Sequence, residues 1–164
     1  MNIQVTGLAG LSEALIPEVM SVISICDVGT DPKVDFGDRF VLSLRFDDFE
    51  DPEPLNAPTV EHVRIIIDAV DILRERGGTV LVHCHGGVCR STATAFVLKA
   101  MELGEGREEE AASWVMDTFP QAVPNLLICA IADELLHREG RLHEAMLAFD
   151  AEMNRRVLGD DWFE

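Results

Sequence analysis

The sequence predicts an α/β fold, a central and mostly parallel sheet of about four or five strands wrapped by helices. Three observations predict it. Short β-branched or apolar runs alternate with helical periodicities through the first half of the chain. One run, Thr79 to His83, is apolar and bounded by glycines and a loop, as in a strand covered on both faces. From Ser91 onward the pattern is almost wholly helical, which supplies the wrapping layers.

Taken in order, Asn2 to Thr6 reads as the first strand and Leu11 to Ile16 as a short helix ending before Pro17. Ser21 to Cys26 is rich in β-branched residues and reads as a buried strand. Residues 27–38 contain Gly29, Pro32 and Gly37 and read as a loop. Arg39 to Phe46 is a strand with Leu42, Leu44 and Phe46 on one side. It runs into an acidic loop containing Pro52 and Pro54. Pro58 to Arg76 is an amphipathic helix on the spacing of Val60, Val63, Ile66, Ile67, Val70 and Leu73, stopped by Gly77-Gly78. After the Thr79–His83 strand and the loop 84–90, helices are predicted at Ser91–Leu103, Arg107–Phe119, Pro124–His137 and Arg141–Val157. No repeat, low-complexity run or linker divides the chain, so residues 1–164 are expected to form one domain.

Composition narrows the function classes. Apolar residues make up 48% of the chain and aromatics only 6%, so the core must be mainly aliphatic. Thirty acidic residues face thirteen basic ones, a net charge of −17, which opposes binding to nucleic acid or anionic lipid. That charge reads as a solubility device or as a field that steers a basic substrate. The first residues lack a cationic, apolar leader, and no transmembrane stretch is present, so a cytoplasmic location is expected. Cys26, Cys84, Cys89 and Cys129 lack the spacing of a secreted disulfide scaffold, and free thiols are expected.

The informative stretch is His83-Cys84-His85-Gly86-Gly87-Val88-Cys89-Arg90-Ser91, between a buried strand and a buried helix. A helix start there offers unpaired N–H groups and the positive end of the dipole, a natural anion site. Adjacent glycines let backbone amides turn towards one centre. If the loop curls, Arg90 can grip two phosphate oxygens in a planar fork while Cys84 is aimed at phosphorus. The same groups favour a thiolate, whose attack would give a phosphocysteine that water later breaks. Ser91 is expected to donate a hydrogen bond to the sulfur, and His83 to orient the loop. His85, Gly86, Gly87, Val88 and Cys89 complete the expected phosphate cradle. A metal site made from His83, Cys84 and His85 is disfavoured, because adjacent residues do not converge on one ion and no fourth ligand is evident. No metal or other cofactor is expected.

These residues resemble the His-Cys-(five residues)-Arg-Ser/Thr signature of the cysteine-based protein tyrosine phosphatase superfamily, matching at His83, Cys84, Gly87, Arg90 and Ser91. The segment Phe119-Pro120-Gln121-Ala122-Val123-Pro124-Asn125 resembles the late Pro-x-x-x-Pro-Asn turn of its compact dual-specificity-like, bacterial-type branch. Gly86 stands where Ala is common there, and Cys89 where Gly or Ser is common. The Cys-(four residues)-Cys-Arg-Ser spacing is also similar to low-molecular-weight tyrosine phosphatases, but those carry the loop near the N-terminus.

The resemblance implies a general acid, an Asp on a nearby loop that protonates the leaving oxygen. The acidic turn offers Asp47, Asp48 and Asp51. Alternation through Leu42, Leu44 and Phe46 points Asp48 to the same side, which favours it. Loops 27–38 and 47–56 are expected to form the rim. Cys89 is either a small filler of the loop or a partner that captures oxidised Cys84 as a reversible disulfide. His85 either touches substrate at the rim or is simply exposed. His62, His137 and His143 read as surface or boundary residues, Cys26 and Cys129 as buried apolar ones. Trp162 and Phe163 are expected to dock back on the domain or to mark a partner contact.

The implied function is a phosphate monoester hydrolase acting on phosphotyrosine proteins, with dual specificity open, since no loop aromatic is identifiable for a phosphotyrosine ring. A small phosphate monoester is the other substrate class. The competing readings are a phosphoinositide or inositol phosphate phosphatase, a non-catalytic phosphate-binding module, and a sulfur-transfer or redox protein using Cys84 and Cys89.

Overall fold

The computed structural model describes residues 1–158, so Trp162 and Phe163 lie outside the described residues. Four strands form one sheet: β1 (Asn2–Thr6), β2 (Val19–Cys26), β3 (Phe40–Arg45) and β4 (Thr79–His83). Their order is β1-β4-β2-β3 and every pairing is parallel. β4 thus sits between β1 and β2, which explains why all five of its residues are buried. Parallel strands need crossovers, and helices supply two of them. The helices are α1 (Leu11–Ala14), α2 (Val60–Asp68), α3 (Val70–Arg76), α4 (Arg90–Leu103), α5 (Glu108–Thr118), α6 (Leu126–Leu135) and α7 (Arg141–Leu158).

The expected helix over 58–76 is two helices with a break at Ala69. The buried residues Val63, Ile66, Val70 and Leu73 run straight across the break, so hydrophobic spacing alone could not reveal it. Thr59 caps α2, accepting from the His62 amide at 3.4 Å while the His62 ring accepts from the Thr59 amide at 3.2 Å. Gly77, at φ +63°, ends α3 as its sequence suggested.

The core is aliphatic, as composition required. Ile23, Ile25, Leu44, Val80 and Val82 of the sheet pack with Phe46, Phe96 and Leu98 in one cluster that includes Cys84. A smaller cluster of Leu11, Val19, Val22 and Leu81 lies on the other face. Helix α4 is buried at ten of its fourteen positions, so it runs through the core behind β4 and cannot drift. A parallel sheet places its ligand crevice at the carboxyl ends of the strands, and here all four strands end at one place.

Candidate active site

A cavity of about 330 Å³ opens at those strand ends. β4 leads into Cys84, His85, Gly86, Val88, Cys89 and Arg90 on its floor; β2 leads into Asp27, and β3 into Asp47 and Asp48. β1 contributes from beneath, where Thr6 and Gly7 support the loop. Two larger hollows, of about 570 and 660 Å³, lie between α5 and α7 and around the α6–α7 turn. Neither is lined by a cysteine.

The sulfur of Cys84 is 2% exposed at residue level and receives two contacts. The Gly87 amide donates to it at 3.3 Å, and the Ser91 hydroxyl lies 3.2 Å away. The curl that aims the Gly87 amide requires φ +71° at Gly87. A Cβ there would stand 2.5 Å from the Gly7 nitrogen and 2.6 Å from the Thr6 carbonyl carbon. Only glycine meets both conditions. Gly7 is constrained in the same way, since its own Cβ would lie 2.9 Å from the Gly86 carbonyl. The Leu8 amide then donates to the His85 carbonyl at 2.9 Å and locks the two segments together. Gly87 is packed there instead of lining the cavity, while its neighbours on both sides line it.

Helix α4 begins at the loop with no side-chain cap on its first turn. Its N-terminal amides and the positive end of its dipole are therefore free to act on an anion above the loop.

Arg90 is 3% exposed. Its Nη1 donates to the Phe46 carbonyl at 2.6 Å and meets Asp27 Oδ1 at 2.6 Å. Its Nε lies 3.9 Å from Asp48 Oδ2 and makes no hydrogen bond. The guanidinium is thus gripped by one corner, with a donor edge left over, the geometry that a bidentate phosphate contact requires.

The three candidate acids separate. Asp48 lines the cavity beside Arg90, with Oδ1 accepting from Asn125 Nδ2 at 2.9 Å. Asp47 also lines it, but its carboxylate accepts from the Val28 amide at 2.9 Å and from Asn56 Nδ2 at 3.4 Å, tying the rim together. Asp51 is exposed, accepts from the Glu53 amide, and lies outside the cavity lining. Asn125 is a junction: buried, it caps α6 through the Ile128 amide at 3.0 Å, reaches the Phe49 carbonyl at 3.0 Å, and donates its own amide to the Cys89 carbonyl at 3.2 Å. The late Pro-Asn turn therefore binds the acid loop to the cysteine loop.

His83 is fully buried below the loop, with Nε2 2.8 Å from Ser24 Oγ. Burial lowers its pKa to about 4, with the Arg45 charge acting the same way. A neutral ring tied to the strand beneath suits the orienting role. His85 is exposed on the cavity wall. Cys89 is a half-buried free thiol whose pKa is pushed up to about 12, first by burial and then by the Asp48 charge. Cys26 and Cys129 are buried in β2 and α6 as expected. His62 stacks on Phe46 at 4.8 Å, a boundary residue, and His137 is exposed.

The rim expectation needs correction. Of segment 27–38 only Asp27 lines the cavity, and of segment 47–56 only Asp47 and Asp48. The 27–38 segment must descend the whole sheet to start β3 in parallel, so Phe36 ends beside the His83 ring and Val34 packs with the Leu11 cluster. Asp27, Gly7 and the Phe46 carbonyl are site groups that sequence reasoning missed. No local pattern marks them, because each acts through a partner distant in the chain.

No protein-family model matches the chain. It is 36% identical over 64 residues to human dual specificity protein phosphatase 5, a stretch that covers 39% of this chain and 16% of that protein. Solved structures match over far more of the length. The crystal structure of DUSP15 matches with a TM-score of 0.64 at 18% identity, covering 94% of this chain and 92% of that one. Human tyrosine phosphatase-like serine/threonine/tyrosine-interacting protein matches with 0.66 at 19% identity, covering 83% and 91%. PTPMT1 in complex with PI(5)P matches with 0.61 at 14% identity, covering 90% and 93%. The four-stranded parallel sheet and its helical wrapping are therefore those of a dual-specificity or tyrosine phosphatase-like fold.

Proposed function

We propose that residues 1–164 form a single phosphatase domain of the compact, bacterial-type branch, which hydrolyses phosphate monoesters through a phosphocysteine. The reading for substrate is a phosphotyrosine protein, with phosphoserine and phosphothreonine admitted by a pocket that has no Tyr around it. The observation that carries it is the Cys84 sulfur, held by the Gly87 amide and Ser91 beneath a cavity that the free edge of Arg90 also faces.

The chemistry follows from the contacts. Cys84 Sγ attacks phosphorus, the P–O bond to the substrate breaks, and the Asp48 carboxylic acid gives its proton to the departing oxygen. Arg90 and the loop amides hold the three equatorial oxygens as charge spreads over them. Water then attacks the phosphocysteine, Asp48 takes its proton, and the S–P bond breaks to leave inorganic phosphate. Ser91 stabilises the departing thiolate by donating to it. The reaction needs no metal or organic cofactor. His83 orients the loop, and Asn125 keeps Asp48 over it.

Rapid quench of the enzyme with a small aryl phosphate tests this. A covalent phosphoenzyme mapped to Cys84 is expected. Phosphate release with no such adduct, from an enzyme that still works after Cys84→Ser, would sink it. The phosphoinositide reading draws support from the PTPMT1 complex, but Arg90 is the one cation among the cavity-lining residues.

A further inference from the structure

Resting on the phosphatase reading, we infer that the substrate is a phosphopeptide segment whose single phosphate sits among basic residues. The cavity gives two independent observations. Arg90 lines the cavity, and its buried Nε makes no hydrogen bond, so a phosphate belongs there. The surround is the reverse of what phosphate alone would choose. Three carboxylates, Asp27, Asp47 and Asp48, line the same cavity against that one arginine.

The acidity continues outward. Residues 47–56, which follow β3 and supply Asp47 and Asp48 to the cavity, contain five acids and no base. A charge serving solubility alone is spread and locally balanced. On the helical side some acids are paired: Lys99 pairs with Glu102, Arg107 with Glu110, Arg138 with Glu108, and Arg141 with Glu105. Among the described residues no lysine or arginine forms an ion pair with Glu50, Asp51 or Glu53. Arg90 is the one cation among the residues that line the cavity, so with three aspartates in the lining and the acids of 47–56 beside them the mouth of the site keeps a net negative field.

Such a mouth repels any substrate with a second phosphate or an anionic surface around it. It attracts a phosphate whose own flanks are cationic, because the guanidinium and ammonium groups replace the missing partners of the rim acids. Apolar side chains stand beside these acids. Phe49 is 40% exposed and Leu55 97%, and they offer cover to the methylene stems of Arg and Lys, with Phe49 also open to a guanidinium face.

The test compares three phosphotyrosine peptides that differ only in their flanks, basic, neutral or acidic, with a small aryl phosphate as reference. Wild type is expected to favour the basic over the acidic peptide by about tenfold or more in kcat/KM at low salt. The preference should shrink as the Debye length falls from about 30 Å at 0.01 M to about 10 Å at 0.1 M. Asp51→Asn with Glu53→Gln, both outside the reacting machinery, should reduce it several-fold while aryl phosphate turnover stays within about twofold. Fluorescence anisotropy with the Cys84→Ser variant should give the same order of peptide affinities, and decides the inference even where turnover is absent. Equal use of all three peptides beside normal aryl phosphate turnover would overturn the inference and leave the phosphatase reading standing. Faster hydrolysis of a soluble short-chain phosphoinositide than of the basic peptide would overturn it too. Absence of aryl phosphate turnover would instead strike the phosphatase reading.

Discussion

The two segments that meet at the cavity are built differently. The Cys84–Arg90 loop is cast into the core: β4 and α4 hold its ends, Gly7 presses on Gly86 and Gly87, and Val123 donates to Val88 at 3.0 Å from the late turn. The 47–56 segment is exposed along most of its length and carries two prolines, and the contacts that fix it are mainly polar. Asn125 holds Asp48, Asn56 and Val28 hold Asp47, and the Leu126 amide donates to Glu50 at 3.0 Å. Cys84 and Arg90 are thus held in place by packing, while Asp48 is held by tethers. Packing fixes position at the cost of adaptability, and tethers leave a surface that can meet a large substrate.

Substitutions test this contrast, beginning with the largest effect. Arg90→Lys should lower kcat/KM for aryl phosphate by about 10²–10³-fold, since an ammonium cannot reproduce the fork. A loss under tenfold would mean that the amides alone hold the phosphate. Asp48→Asn should cost about 10²-fold or more for an alkyl phosphate and distinctly less for an activated aryl phosphate, whose leaving group needs no proton. Equal losses on both would make Asp48 an electrostatic or structural group. Asn125→Ala should show a weaker version of the same pattern, because it loosens the tether and keeps the acid.

Asp27→Asn sharpens the description of the clamp. If the Asp27–Arg90 pair positions the guanidinium, kcat/KM should fall about tenfold, mostly through KM. A rise in affinity for inorganic phosphate would show instead that Asp27 competes with substrate. Gly87→Ala tests the packed side. The strained φ and the collision with Gly7 should destabilise the fold by about 1–3 kcal/mol, read from chemical denaturation. A neutral result would mean that the loop is softer than its contacts imply.

The smallest effect concerns pH. His83 titrates near 4 in the fold, below its ordinary 6.5. Above 6.5 both states are neutral and the group contributes nothing to the pH dependence. As pH falls from 6.5 to 4 the unfolded chain gains a proton that the native ring refuses, so stability declines. Wild type should therefore lose more melting temperature across that window than His83→Gln. Parallel curves would place the buried ring's titration elsewhere.

Much of this site was legible because its parts are close in sequence. Cys84, Gly87, Arg90 and Ser91 lie in one strand–loop–helix passage, and the alternation through Leu44 and Phe46 placed Asp48 in the cavity. What sequence could not supply are contacts made across the chain. The Phe46 carbonyl reaches Arg90 over 44 residues, and Asn125 reaches Asp48 over 77. Asp27 looked like the first residue of an ordinary loop, and nothing in its neighbours marks it as an arginine partner. The break at Ala69 escaped because an apolar stripe continues unbroken through a change of helix.

Turnover of a small aryl phosphate by reduced wild type and by Cys84→Ser, without added metal, shows whether the Cys84 sulfur breaks phosphate monoesters. An active wild type and a folded Cys84→Ser variant slowed by at least about 10³-fold are expected. Comparable rates in the two proteins, or no turnover by a folded and reduced wild type, would contradict that role for Cys84.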